Sequence, residues 1–229
     1  MAAKTFNVSM ATTIAKKMVM ALTGLFLVVF VIEHMLGNLS FVFGGPDVYN
    51  MYAHKLISFG PILYVIELIL AAAFIIHIWN GVAISLHNRQ ARPSRYYKLK
   101  STGGPSKQTL SSKTMIYTGL ILFIFTVIHL QTFKYGAYYE TTVDGLVVRD
   151  LYRLMREKFL NPAYAFGYMA VMILLGYHLR HGFWSAFQSL GANHPKYSNR
   201  IYAIGVVIAI IVAFGFLVVP VTVYFSQFF

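Results

Sequence analysis

The sequence predicts an all-α membrane protein built as a single bundle of five transmembrane helices. Its 229 residues are 58% hydrophobic and only 11% charged, which is too apolar for a water-soluble domain of this length. Five apolar runs each reach the roughly 20 residues that a helix needs to cross a hydrocarbon core of about 30 Å. The bases, which give a net charge of +12, gather in the segments between these runs.

The predicted spans follow one another along the chain, so we interpret residues 1–229 as one transmembrane domain. They lie at about 17–39, 61–86, 114–133, 163–187 and 201–224. The first is expected to stay in the mature protein, because no small-x-small cleavage site follows it at a suitable distance. After the third span, the stretch DLYRLMREKF, Asp150–Phe159, places apolar residues on one helical face and charges on the other. It predicts a short interfacial helix or a cap over the bundle.

The distribution of charge predicts the orientation of the bundle. Short cytoplasmic connections collect Lys and Arg, whereas translocated connections need not. The second-to-third connection carries seven bases and no acid, namely Arg89, Arg92, Arg95, Lys98, Lys100, Lys107 and Lys113. In the connection between the third and fourth spans, acids nearly balance the bases. We therefore expect an integral protein of the cytoplasmic (inner) membrane, with its N-terminus inside and its C-terminus outside, and no nucleic-acid partner.

The chain has no cysteine, which limits the cofactors it can hold. Disulfides, thiolate metal sites, iron–sulfur ligation and thioether-linked haem are all excluded within this polypeptide. Any metal on this chain must be bound by histidine or by carboxylates.

Four histidines lie within the predicted spans and fall at two depths. His34 and His129 follow the start of an outward-running span by sixteen or seventeen residues, which places both near the outer face. His77 and His178 lie sixteen residues into inward-running spans, near the inner face. Two pairs on different helices suit bis-imidazole ligation of haem, whereas zinc needs three or four converging ligands. His181, one turn from His178, is a rival ligand, and a buried histidine taken alone is more often a hydrogen-bonded structural residue.

A repeat supports a flat cofactor at each depth. TGLFLVVFVIEH, ending at His34, and TGLILFIFTVIH, ending at His129, share Thr, Gly, Leu, Phe and His at matching offsets. Their Thr-Gly pairs lie about 15–17 Å before the histidine, at the inner depth. His77 and His178 each precede a glycine by four residues. The residues predicted to make room for haem are Thr23, Gly24, Gly81, Thr118, Gly119, Gly167 and Gly182; the alternative is ordinary small-residue helix packing.

Four motifs carry a resemblance to a known family. They are HMLGNL from His34, HIWNG from His77 with NRQARP from Asn88, the Thr118–His129 repeat with Leu130 after it, and HLRHGFWSAFQSLG from His178. On these motifs the chain resembles, over nearly its whole length, the five-helix, two-haem cytochrome b membrane subunit of succinate dehydrogenases and fumarate reductases. The resemblance implies two haem b groups, the outer ligated by His34 and His129 and the inner by His77 and His178.

The resemblance also implies the reaction and the partners. A flavoprotein subunit with FAD and the dicarboxylate site would associate with an iron–sulfur subunit on the inner face, and a quinone, usually menaquinone, would bind within the lipid membrane. This chain would anchor both subunits and pass electrons between the iron–sulfur clusters and quinone, without dicarboxylate chemistry of its own. The alternatives are the cytochrome b anchor of a hydrogenase or formate dehydrogenase and a transporter without haem. The direction of the reaction and any higher oligomer of the complex stay open.

Glu33 and Glu67 are the carboxylates within the predicted spans. Glu67 lies ten residues before His77, about 15 Å along the helix, and is therefore level with the outer pair. A quinone that reacts there must exchange protons, which makes Glu67 the candidate for quinone proton transfer. The alternative is a structural carboxylic acid hydrogen-bonded to a neighbouring helix or to a haem propionate. Glu33 points away from the His34 face, and its role stays open.

Overall fold

The computed structural model describes residues 13–90, 110–192 and 194–229. In these ranges the chain forms seven α-helices and one β-hairpin. The helices are α1 Thr13–Phe43, α2 Gly45–Ile57, α3 Pro61–Gln90, α4 Leu110–His129, α5 Leu151–Leu160, α6 Pro162–Ser189 and α7 Ser198–Phe225. The strands are β1 Glu140–Val143 and β2 Leu146–Arg149. A π-helical turn, Leu130–Lys134, continues α4, and a 3-10 turn, Ser226–Phe228, ends α7.

Five of the described helices, α1, α3, α4 with its π-helical turn, α6 and α7, are long and apolar enough to cross a membrane. The predicted class, an integral membrane protein with five spanning helices, is therefore confirmed. The helices are a few residues longer at their ends than predicted, because helices continue past the apolar run into polar residues at the membrane surface. Residues 91–109, which carry most of the bases of the second-to-third connection, lie outside the described residues.

The long helices alternate in direction and pack around α1. We call the end of the bundle where α1 begins the N-terminal face and the end where α7 finishes the C-terminal face. α1 contacts α3, α6 and α7, α6 packs along α7 and α4, and α3 and α4 touch each other only slightly. One apolar cluster joins α1, α6 and α7 through Val28, Met35, Leu179, Ala209 and Val212. Of the thirty residues of α3, only Asn80 and Ile84 are buried.

A cap of short elements covers the C-terminal face. α5 buries Leu154, Met155 and Phe159, on the apolar face that the sequence predicts. The buried Asn50 joins α2 to α5, because its amide nitrogen donates to Asp150 Oδ1 and its oxygen accepts from the Tyr152 backbone nitrogen, both at 2.9 Å.

The prediction does not contain α2 or the hairpin, although each has a local signal. α2 follows Gly44 and has Gly45 and Pro46 in its first turn, a sequence that reads as a loop but suits a helix start. The hairpin turns at Asp144-Gly145, where both residues have positive φ values, 49° and 80°. An Asp-Gly pair with these values is typical of the type I′ turn of a two-residue hairpin.

Two glycines in spanning helices give a matched test of the packing. A Cβ atom at Gly215 in α7 would lie 2.8 Å from Cγ of the buried Met35 in α1, and closer still to its sulfur. We expect Gly215→Ala to destabilise the bundle by about 1–3 kcal/mol, because the helices must separate or Met35 must leave its rotamer. At Gly167 in α6 an added Cβ atom would meet nothing within 4 Å, so Gly167→Ala should be neutral or stabilising by up to about 1 kcal/mol.

Thermal unfolding of both variants, followed by circular dichroism in one detergent, measures the difference. Equal midpoints for the two variants would contradict this packing of α7 on α1.

Candidate functional site

A large cavity runs through the bundle and contains all four predicted ligand histidines. Its volume is about 2120 Å³, whereas a small-molecule pocket ordinarily has about 300–1,000 Å³. His34, His77, His129 and His178 all line it. Its walls come from α1, α3, α4 and α6, with part of α7 and of the cap.

The structure brings the histidines together in the two predicted pairs. The ring centroids of His34 and His129 are 5.7 Å apart, with an angle of 88° between the ring planes. Those of His77 and His178 are 6.5 Å apart, at 70°. His181 also lines the cavity, but the ring that lies beside His77 is that of His178.

The two pairs lie at different depths, as the spacing predicts. Gly24 of α1 lies against His77 and Gly119 of α4 lies against His178. Each glycine precedes the histidine of its own helix, His34 or His129, by ten residues. The pairs are therefore separated by about 15 Å along the bundle.

Aromatic rings enclose the His34–His129 pair. Phe30 stacks on His34 at 5.5 Å between centroids, and Phe125 stacks on His129 at 5.7 Å. Both contacts join residues four apart on one helix, which is the offset that the sequence repeat predicts. Phe216 of α7 adds a further contact to His34 at 5.8 Å. The rings hold the imidazoles by packing on their faces.

The glycines of the repeat have a more direct role than the one predicted. They were expected to make room for a cofactor, but a Cβ atom at Gly24 would lie 3.0 Å from Cε1 of His77, and one at Gly119 3.5 Å from Cε1 of His178. Gly24 therefore lets the His77 ring approach α1 more closely than a side chain would allow, whereas a Cβ atom at Gly119 would make an ordinary contact with His178. Gly81 and Gly182 also line the cavity. A Cβ atom added at Gly81 would lie 4.0 Å from Met20, and one added at Gly182 would lie 4.0 Å from Met115.

Two predicted cofactor residues lie away from both the cavity and the histidines, and a third, Thr118, contacts His178 but does not line the cavity. Gly167 is exposed, does not line the cavity, and has open space where a side chain would be. It was placed by counting residues from His178, which gives depth but not the side of the helix. Thr23 turns back on its own helix, where its hydroxyl donates to the carbonyl oxygens of Val19 at 2.8 Å and Met20 at 3.2 Å. Neither residue contacts the histidines directly.

Hydrogen bonds orient the His77–His178 pair. His77 Nδ1 lies 3.2 Å from the Met20 carbonyl oxygen, which can only accept, so Nδ1 carries the proton. Thr118, which is buried, donates to the Met115 carbonyl at 3.1 Å, and from this we infer that its oxygen accepts from His178 Nδ1 at 3.0 Å. In both rings the proton on Nδ1 leaves Nε2 with a lone pair, which is the state a metal ligand needs.

The His34–His129 pair is held differently. Tyr168 OH lies 3.4 Å from His129 Nδ1, a long contact. Asn38 donates to the His34 carbonyl at 2.8 Å, and its amide nitrogen is also 3.4 Å from His34 Nε2. Tyr49 in the cap donates to the Asn38 oxygen at 3.3 Å. Burial raises the pKa of Tyr49, so its phenol stays a proton donor.

Glu67 forms an ion pair with Lys134, the last residue of the π-helical turn after α4. The sequence suggests an unpaired acid in the membrane, but the structure gives it a cationic partner. Both side chains are about one-third exposed, at 35% and 36%, and both line the cavity. Glu33, in contrast, is exposed and lies outside the cavity lining.

Several contributors to the site could not be read from the sequence. The Met20 carbonyl is a backbone group, and Tyr168 and Lys134 reach His129 and Glu67 from other helices. Arg149 of β2 lines the cavity and donates to the Phe133 carbonyl at 2.9 Å, while its buried Nε has no partner among the described residues. A π-helical turn next to a candidate ligand is a common mark of functional sites.

The inferred tautomer of His178 can be tested directly. In purified full-length chain with ¹⁵N-labelled histidine, measured before any cofactor is added, we expect His178 to carry its proton on Nδ1. Thr118→Val removes the acceptor and should give a mixture of tautomers, with a loss of about 1 kcal/mol in stability. Thr126→Val is the matched control, because Thr126 in the same helix donates only to the Leu122 carbonyl. A wild-type ring protonated on Nε2 would contradict the inferred bond.

No family model matches the chain, and no curated protein or solved structure matches it. What the molecule can bind must therefore be judged from its own residues. Among the described residues, no three or more histidines or acids converge as a metal site, so each histidine pair supplies two ligands.

Proposed function

We propose that this chain is the membrane anchor and electron-transfer subunit of a succinate:quinone oxidoreductase, a succinate dehydrogenase or fumarate reductase. The observation that carries the proposal is the pairing of four histidines, two at each of two depths, inside one cavity. The sequence motifs around these histidines, which resemble the two-haem cytochrome b subunits of such enzymes, support it.

The residues present fit two haem b groups. Two imidazoles that both ligate one metal ion would have ring centroids about 6 Å apart. The measured separations are 5.7 and 6.5 Å. Two neutral imidazoles leave the remaining coordination positions of a metal ion open, which a haem would fill, and the largely apolar cavity has the size for such groups.

Bound haem iron would exchange single electrons at each depth. The chain contributes the ligands and their orientation. The Met20 carbonyl and Thr118 hold the protons of His77 and His178 on Nδ1, and such bonds increase the basicity of the ligand nitrogen. Stacked Phe30 and Phe125 exclude water around the other pair. Succinate chemistry takes place on a flavoprotein with FAD, and an iron–sulfur subunit connects it to this chain on the N-terminal face.

The cavity also gives quinone a route from the membrane. On α3, Tyr64 and Leu68 line the cavity and are both 71% exposed. On α4, Tyr117 and Leu120 line it and are 59% and 58% exposed. The cavity therefore opens between α3 and α4 to the apolar surface of the bundle, where a lipid-soluble quinone such as menaquinone can enter. Glu67 lies beside this opening, level with the His34–His129 pair.

The haem content tests the proposal as a whole. We expect about two non-covalent b-type haems per chain by pyridine haemochrome analysis of the purified complex, because each histidine pair has two ligands. His77→Ala or His178→Ala should remove one haem, and His34→Ala or His129→Ala the other. Potentiometric titration identifies which haem is lost. A complex without haem would refute the assignment, as would variants of one histidine pair that lose different haems. A complex without FAD would point instead to a hydrogenase or formate dehydrogenase anchor.

The role of Glu67 needs a variant pair, because substituting it also breaks its ion pair. Glu67→Gln removes the titratable proton and should lower quinone-coupled turnover by at least about 100-fold, while electron transfer from succinate to a dye acceptor survives. Lys134→Gln breaks the same ion pair but keeps the carboxylate, so quinone turnover should persist with a changed pH profile. Equal losses in both variants would show that the ion pair matters for structure and that Glu67 does not transfer the proton.

A further inference from the structure

A guanidinium group on the outer surface of the bundle has no role in the cavity. Arg180 belongs to α6, two residues after His178, but neither it nor its neighbours Trp184 and Tyr202 line the cavity. All three side chains are half-buried, where α6 packs on α7. The crevice that they form is therefore separate from the site described above.

The crevice holds the guanidinium in a fixed orientation. Arg180 donates to the Tyr202 hydroxyl oxygen from Nη2 at 2.6 Å and from Nε at 3.2 Å. The Trp184 ring meets the Tyr202 ring edge to face, with centroids 6.2 Å apart. Tyr202 accepts both of these bonds and supplies no negative charge. Within the described ranges Nη1 has no hydrogen-bond partner, so its hydrogens can serve a further acceptor.

The positive charge of Arg180 is not neutralised within the described part of the chain. The ion pairs found there join Lys134 to Glu67 and Arg153 to Glu157. Arg180 is half-buried between two spanning helices and has no acidic partner among the described residues, so its charge is available to an anion from outside the chain. Tyr202 lies four residues into α7, roughly 6 Å from the N-terminal face, which is the level of lipid headgroups. The exposed Lys196 and Arg200 precede it on the same face.

We propose that this crevice binds the phosphate group of an anionic phospholipid. A phosphate can accept the remaining guanidinium hydrogens in the paired geometry that arginine favours. Trp184 and Tyr202 provide the amphipathic rings that lie at the membrane interface, and acyl chains can follow the apolar surfaces of α6 and α7. Basic crevices between spanning helices are typical sites for such headgroups. The site rests on the membrane fold and does not depend on the proposed redox function.

The position of the two tryptophans makes the proposal measurable, since the chain contains only Trp79 and Trp184. Trp79→Phe leaves Trp184 as the reporter in the full chain, reconstituted in phosphatidylcholine vesicles with increasing brominated phosphatidylglycerol. We expect Trp184 fluorescence to be quenched at about fivefold lower mole fraction by brominated phosphatidylglycerol than by brominated phosphatidylcholine. Arg180→Gln should abolish this preference. Tyr202→Phe keeps the charge of Arg180 but removes the hydroxyl that orients its guanidinium group, so it should weaken the preference.

Two controls separate the site from general attraction to charge. Arg156→Gln removes an exposed base from the cap on the opposite face and should leave the preference unchanged. In Trp184→Phe, the exposed Trp79 of α3 reports on ordinary lipid contact and should show no preference. Equal quenching of Trp184 by the two lipids would overturn the proposal. So would a preference for phosphatidylglycerol that persists in Arg180→Gln, or one that is lost when millimolar inorganic phosphate is added. If Arg180→Gln does not insert, the Tyr202→Phe result decides.

Discussion

An imidazole lies against a glycine of another helix twice in this molecule, and these contacts position His77 and His178 in the cavity. His77 lies against Gly24 of α1, and His178 lies against Gly119 of α4. A Cβ atom at Gly24 would lie 3.0 Å from the ring, closer than an ordinary contact. The glycine therefore sets how near α3 can approach α1, and so where its histidine lies relative to the ring from α6.

The two contacts belong to helix pairs that are built alike. In the first pair, Met20 of α1 lies nearest to a Cβ atom added at Gly81 of α3. In the second pair, Met115 of α4 lies nearest to one added at Gly182 of α6. Met20 and Met115 occupy the same place, three residues before the Thr-Gly of the repeat. Each histidine pair then takes one ring from each helix pair. The cavity is the space left between them, because α3 and α4 do not close on each other.

No water is available inside a bilayer, so a buried ring nitrogen must find its partner within the protein. The two halves meet this constraint in different ways. One uses the backbone carbonyl of Met20 for His77, and the other uses the Thr118 hydroxyl for His178. At the other depth the contacts are longer, at 3.4 Å, from Asn38 to His34 and from Tyr168 to His129. Asn38 in turn accepts a hydrogen bond from Tyr49 in the cap. The cap is fastened by the buried Asn50, which links α2 to α5.

The sequence by itself determined the five spans, the two depths of the histidines, the position of a phenylalanine on the same helical face four residues before each of His34 and His129, and the depth of the Thr-Gly pairs. These follow from hydropathy and helical periodicity, which act along one chain segment. Only the tertiary structure decided that Gly167 is outside the cavity, that Thr23 bonds its own helix, and that Glu67 has Lys134 as a partner. Residue counting gives depth along a helix, whereas the direction of a side chain and the partner it meets depend on how neighbouring helices rotate and pack. The Met20 carbonyl shows this most clearly, because a backbone oxygen has no signature in the sequence and becomes a partner only where another helix brings a ring to it.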